Sequence, residues 1–337
     1  MPTIWFCLVA VMIALYVVLD GFDLGAGIVH FLVAKTADER RVVLASIGPV
    51  WDGNEVWLLA GGGTLYFAFP ALYASSFSGF YLPLMMVLWL LILRGIAIEF
   101  RNHIQGPVWV PLWDTVFSGA SALLAIFFGA ALGNVVRGVP LDASGYFFLP
   151  LWTDFSIGPD AGILDPYTVL IAVAAFLTLA EHGALWVALK TEGALETRAR
   201  RTAERLWWGV LLLVAAITIV SFRIQPHLGE SFRLRPWGYI FPLLALGGLL
   251  SMRLLRGLQA FLGSCAFIIG MLTSVVFGVY PYVLPSNGDP SLSLTVYGAA
   301  APRYGLEVGL MWFVPGIALA AGYFIYTYRS FSGKVRL

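Results

Sequence analysis

Apolar runs long enough to cross a bilayer recur along almost the whole chain, separated by short polar punctuation. A membrane-crossing helix needs about 20 such residues. By that measure the pattern predicts nine spans, at 4–33, 49–70, 74–100, 114–136, 162–189, 204–222, 237–253, 257–282 and 305–328. The second is the weakest, because Asp52 and Glu55 sit in its first turns. Residues 4–33 are too long for the core of a signal peptide and lack a basic front end, so the first helix is expected to stay in the protein. The stretches 137–161 and 283–304 carry Pro140, Pro150, Pro159, Asp160, Asn287-Gly288 and Pro302, and read as loops too polar to span.

Positive charge orients the pattern. With the N-terminus outside, fifteen Lys and Arg fall on the inner side, Arg94, Arg101 and Arg336 among them. Five fall outside: Arg137, Arg223, Arg233, Arg235 and Arg303. The excess of inner cations predicts an outer N-terminus and an inner C-terminus. A weak echo joins two parts of the chain. The first and fifth spans both end in Lys-Thr, at Lys35-Thr36 and Lys190-Thr191, and each is followed by a charged linker. Two related four-helix units and one extra helix would give that echo, with 1–139 as the first unit, 140–160 as an outer loop and 161–337 as the second unit plus the additional helix.

Composition sharpens the class. Of 337 residues, 60% are apolar and only 12% charged, against about 25% charged in a soluble domain. The expected fold class is an all-α polytopic membrane protein. A net charge of +1 gives no reason to expect a nucleic-acid partner. Cys7 and Cys265 both lie in apolar segments and read as buried packing thiols.

Polar groups inside such spans are expensive and tend to have a task. Asp20 and Asp23 stand three apart on one face of the first span, with Gly21 and Gly25 forming a GxxxG that admits a second helix closely. They read equally as a proton path or as a buried clamp, for example to Arg94. Trp51-Asp52-Gly53-Asn54-Glu55-Val56-Trp57 opens the second span. Asp52 and Glu55 there read either as proton carriers at the inner surface or as a capping pair for the helix. Asp114 is expected as an N-cap, and Arg94 and Glu99 as side chains snorkelling to the interface. His30, His103, His182 and His227 are not spaced to bracket a haem, and no CxxCH is present.

The pair Asp20-Gly21-Phe22-Asp23-Leu24-Gly25 and Trp51-Asp52-Gly53-Asn54-Glu55-Val56-Trp57-Leu58 resembles subunit II of cytochrome bd-type quinol oxidases. Ala74-Ser75-Ser76-Phe77-Ser78-Gly79-Phe80-Tyr81, Trp113-Asp114, Gly133-Asn134 and Ser291-Leu292-Ser293-Leu294-Thr295 extend the likeness over nearly the whole chain. Its short outer loops look more like the cyanide-insensitive branch. The resemblance implies nine helices as two four-helix bundles and a peripheral one, in a bacterial inner membrane. It also implies a homologous subunit I carrying b-type haem and haem d, or a b-type substitute, together with the quinol-oxidation loop. Subunit II would ligate no haem. It would stabilise its partner, offer a cytoplasmic proton path and, in some members, hold a structural quinone. A small single-helix accessory subunit can join. By motif, Asp52 and Trp57 fall in the proton path, with Asp20 and Asp23 as further candidates. Glu55 stands where the family often has an amide, and would widen the path or pair with Arg40 or Arg41. Outside the family, a proton-coupled secondary transporter using Asp20, Asp23 and Asp52, or a scaffold whose acids only clamp helices, fits the same residues.

Overall fold

The structure, a computed structural model, describes residues 1–158 and 161–335. Pro159, Asp160, Arg336 and Leu337 lie outside the described residues, so the loop position of Asp160 and the inner charge of Arg336 do too. Among the described residues, twelve α-helices follow one another: α1 (Pro2–Val33), α2 (Ala37–Ile47), α3 (Trp51–Ala68), α4 (Pro70–Gly79), α5 (Tyr81–Phe100), α6 (Trp109–Arg137), α7 (Pro166–Lys190), α8 (Gly193–Ile224), α9 (His227–Leu234), α10 (Ile240–Leu254), α11 (Leu258–Val279) and α12 (Arg303–Ser330). Among the described residues, eight helical segments are long and apolar enough to cross a membrane: α1, α5, α6, α7, α8, α10 with the turn before it, α11 and α12. The helix α3, the weakest of the nine expected spans, is not among them.

Three boundaries differ from the sequence pattern, each for a local reason. The expected third span, 74–100, breaks at Phe80 into α4 and α5. There Gly79 leaves room for the ring of Phe147, which stacks edge-on against Phe80 at 5.0 Å. The linker after α1 is itself a helix, α2. The Thr36 side chain accepts from the Glu39 N–H at 3.2 Å while the Glu39 carboxylate takes the N–H groups of Lys35 and Thr36, a reciprocal cap. Val43, Leu44 and Ile47 bury its apolar face. The helix α8 begins at Gly193, well before the expected residue 204, because its charged first turns are good helix formers and stand in the polar zone.

The first helix, α1, lies at the centre. Gly25 of α1 and Gly183 of α7 meet backbone to backbone, so a Cβ on either would collide with the other helix. The expected GxxxG is thus a helix crossing. His182 of α7 seals it, with Nε2 2.9 Å from the Val18 carbonyl and Nδ1 2.7 Å from the Ser264 hydroxyl of α11. At the α2 end, Arg198 of α8 reaches Glu39 of α2 at 2.5 Å and donates to the Val33 carbonyl at 2.7 Å. The two charged linkers that echo each other in sequence therefore touch.

At the far end the chain closes with a small ladder, β1 (Tyr282–Leu284) against β2 (Leu294–Thr295). Gly138, at φ +95°, turns α6 into that loop layer. Arg137, expected in a loop, is instead the buried last residue of α6. It pairs with Asp165, which caps α7, and donates to Asn134 Oδ1 at 2.8 Å. Cys7 is exposed and Cys265 only partly buried, so neither is the fully buried packing thiol expected. The last helix, α12, is peripheral. It is pinned where Trp5 donates to the Leu306 carbonyl at 3.0 Å and where Tyr328 donates to Asn54 Oδ1 at 2.8 Å.

Candidate functional site

Two residues of α1 organise the site. Asp20 and Asp23 are both fully buried and share the α1 face turned toward α3 and α5. Arg94 of α5, also fully buried, donates through Nη2 to Asp20 Oδ1 at 2.6 Å and to Glu55 Oε2 of α3 at 3.0 Å. Asn54, the residue before Glu55, donates through Nδ2 to Asp23 Oδ2 at 2.8 Å and to the Leu19 carbonyl at 3.2 Å. Its own Oδ1 receives the Tyr328 hydroxyl, so four helices converge on one polar knot.

The cluster is only half paired. Asp20 Oδ2, Asp23 Oδ1, the Tyr16 hydroxyl, and Nε and Nη1 of Arg94 are buried without a protein partner. An unpaired buried polar atom costs free energy comparable to a lost hydrogen bond. Two carboxyls, Asp20 and Glu55, share one guanidinium with Asp23 beside them; a water molecule would satisfy each unpaired atom, and a moving proton the unpaired carboxylate oxygens. The arrangement can hold and pass protons through an apolar core.

The sequence-based candidates fare unevenly. Asp20, Asp23 and Glu55 come together. Asp52 does not join them: it is exposed in the first turn of α3, one turn before Glu55. It caps nothing, because α3 has Val50 at its N-cap and no side-chain cap. Glu55 pairs with Arg94 rather than with Arg40 or Arg41. Arg94 does not snorkel; the clamp reading of Asp20 with Arg94 is the geometry observed. Trp57 is 7% exposed, with its Nε1 unpaired. It faces an apolar groove of about 520 Å³ between α1, α3 and α12. Sequence reasoning missed Asn54, Tyr16 and Tyr328. Only Asn54 carried a signal, as the amide between two acids in the same motif.

A second polar knot lies near α2. Asp114 is not an N-cap but an interior residue of α6. Its carboxylate takes Arg101 Nε at 2.5 Å, Arg40 Nε at 3.3 Å and His30 Nε2 at 3.1 Å.

Comparison with known proteins identifies the assembly. Residues 1–331 match the family described as "Cytochrome bd terminal oxidase subunit II". The chain belongs to that family. It is 31% identical to the "Probable cytochrome oxidase subunit 2" of Haemophilus influenzae, over 98% of this chain and 94% of that protein. It is 30% identical to the "Cytochrome bd ubiquinol oxidase subunit 2" of Bacillus subtilis, over 98% and 96%. Identity to the "Cytochrome bd-I ubiquinol oxidase subunit 2" of Escherichia coli is 29%, over 90% and 87%. The fold matches a chain of the bd oxidase from Geobacillus thermodenitrificans with a TM-score of 0.74 at 19% identity, covering 98% of each. The chain is thus a multi-pass membrane subunit of a respiratory terminal oxidase, and the comparisons do not favour a secondary transporter.

Family membership implies haem and a subunit I in the complex. The residues of this chain do not fit a haem iron, which needs an open lone pair beside a cavity. His182 has both ring nitrogens engaged, while His103 and His227 each bond a backbone carbonyl. His30 is held by Asp114 and packed between Phe31 and Phe117. The groove is lined by no histidine, and its one sulfur, that of Met12, accepts from Thr64 at 3.5 Å.

Proposed function

We propose that this chain is the non-haem subunit II of a quinol:oxygen oxidoreductase, and that it carries protons from the cytoplasm toward the oxygen-reducing site of its partner. The observation that carries the reading is the buried, half-paired cluster of Asp20, Asp23, Glu55 and Arg94 directly behind the exposed Asp52. Asp52 collects a proton at the surface, Glu55 stands one turn inward, and the Asp20–Asp23 face of α1 receives it. Uncompensated carboxylates are costly at membrane depth, and a proton in transit lowers that cost. Reduction of oxygen consumes protons. Drawing them from one side while quinol releases its own on the other separates charge without a pump.

The remaining parts follow from the same reading. The haems, b-type with haem d or a b-type substitute, belong to subunit I. Subunit II stabilises that partner through its exposed apolar faces. The nine helices form two four-helix bundles, 1–139 and 161–337, the latter with the peripheral α12; the α1–α7 crossing and the scant packing of α12 support this. The excess of Lys and Arg at the α2 end supports a cytoplasmic C-terminus and an outer N-terminus in a bacterial inner membrane. The groove beside Trp57 suits a structural quinone or a lipid tail. A single-helix accessory subunit has room on the same exposed faces.

The test is oxygen consumption by the purified oxidase carrying Asp52→Asn or Glu55→Gln. Turnover should fall by about tenfold or more for the stronger variant, with haem content per protein unchanged. Full turnover in both variants, with the complex intact, would remove the proton role and leave a clamp.

A further inference from the structure

The ends of α8 and α10 nearest α2 carry charge that nothing in the chain answers. Among the described residues, Arg200, Arg201, Arg205, Arg253 and Arg256 take part in no ion pair. All but Arg200 are exposed. Acids are few on this part of the chain. Glu196 is taken by Lys334 at 3.0 Å. Glu192 and Glu204 are exposed, and no Asp or Glu occurs between Glu230 and Asp289.

One contact sets how the two helices face each other. The Trp207 indole of α8 donates to the Leu249 carbonyl of α10 at 2.8 Å, and both residues are buried. The helix α8 runs away from α2 and α10 runs back. Antiparallel helices turn in opposite senses about a shared contact, so the next residue on each falls on the same side of the pair. Those residues, Trp208 and Leu250, are both exposed. Two turns from Trp208 toward α2, on the same face, stands Arg201. One turn from Leu250 in that direction are Arg253 and Leu254, in the last turn of α10. Arg256 follows in the turn to α11, where Gly257 at φ +55° reverses the chain. One side of the pair thus passes from tryptophan and leucine to three guanidiniums, within about a turn of one another in depth.

That pattern selects its occupant. Guanidiniums grip phosphate oxygens through a planar fork. Leu246, Leu250 and Leu254 form an exposed stripe that reaches to the depth of acyl chains. A soluble acidic protein would meet the arginines and leave the stripe uncovered. A zwitterionic lipid would bring an ammonium group among cations. A lipid of net negative charge satisfies both parts. We propose that Arg201, Arg253 and Arg256 hold the headgroup of an anionic phospholipid, whose acyl chains lie along Trp208 and the leucine stripe of α10. The lipid bridges the ends of α8 and α10 beyond the Trp207 hydrogen bond.

This site goes beyond the proton path and does not depend on it. Intact oxidase is stripped of lipid in detergent and titrated at low ionic strength with phosphatidylglycerol or phosphatidylcholine, and bound copies are counted by native mass spectrometry. The unaltered enzyme should bind its first phosphatidylglycerol more tightly than phosphatidylcholine. A cation near an anionic lipid is worth about fivefold in affinity. The double variant Arg253→Gln, Arg256→Gln should therefore weaken the first phosphatidylglycerol site by about 25-fold and leave phosphatidylcholine unchanged. Arg223→Gln with Arg233→Gln removes exposed cations at the opposite end of the bundle and should change neither. Arg201→Gln reads the same site from α8, with about a fivefold loss, and serves if the double variant lowers haem content. Equal affinity for the two lipids in the unaltered enzyme, an unchanged first site in the double and Arg201 variants, or an equal loss in the opposite-end pair overturns the inference.

Discussion

Removing the Arg94 guanidinium would leave Asp20 and Glu55 without their cation in a low-dielectric interior. Breaking a buried pair in this way costs about 3–5 kcal/mol. Arg94→Gln should therefore lower the melting temperature of the complex and its haem content together, unlike Asp52→Asn, which alters an exposed side chain. An Arg94→Gln enzyme with full haem and an unchanged melting temperature would mean the clamp is dispensable. Arg94 also marks the limit of what the sequence disclosed at this scale. Asp20, Asp23 and Glu55 were legible because acids in apolar runs are costly wherever they point. An arginine within a turn or two of a helix end looks the same whether it snorkels outward or is buried against two carboxyls. Asp114 was misplaced because the helix starts five residues before it, at Trp109, and only packing shows that Arg101, Arg40 and His30 surround it.

The cap of α2 is a local device with a measurable sign. Burial pushes the Glu39 carboxyl up, but the N–H groups of Lys35 and Thr36 and the Arg198 guanidinium outweigh it and hold the carboxyl below its ordinary range. A depressed folded pKa gives stability that is present above the unfolded value, about 4.3, and is lost as pH falls through the folded value. Glu39→Gln should thus lower the melting temperature at pH 7, by a difference that shrinks as pH falls below about 4.3. Thr36→Ala removes the other half of the cap and should cost about 1 kcal/mol. At the α1–α7 crossing the change is harsher. A side chain at Gly183 meets the Gly25 backbone, so Gly183→Val should abolish assembly, read as loss of haem bands in membranes. The helix pattern was legible wherever a span was long and apolar. It failed at Phe80, where the break depends on a ring from a distant loop, and at α2, where eleven residues carry too few apolar positions to reveal a helix.

Across the whole molecule, apolar side chains such as Leu59, Trp89, Leu212, Leu243 and Trp312 remain exposed on α3, α5, α8, α10 and α12. In a membrane such faces meet lipid or a partner subunit. The class and the family were readable from hydropathy and two short motifs. Which face meets lipid and which meets subunit I was not, because both are apolar and the pattern is the same. The eight well-formed spans and the marginal α3 trace to the same cause: Asp52, Asn54 and Glu55, which make the site, also make α3 a poor membrane helix by composition. Its stability must come from α1, α5 and α12, so the polar path is possible only in the folded bundle.

The most direct measurement follows the proton itself. Oxidase carrying Asp23→Asn is reconstituted in vesicles, its haem content is matched to the unaltered enzyme, and proton uptake and membrane potential are followed after an oxygen pulse. Passage through this subunit predicts that both slow together by about tenfold or more, while the reduced-minus-oxidised spectrum is unchanged. Uptake and potential at the full rate in a spectrally intact enzyme would contradict it and leave the buried acids as a clamp between helices.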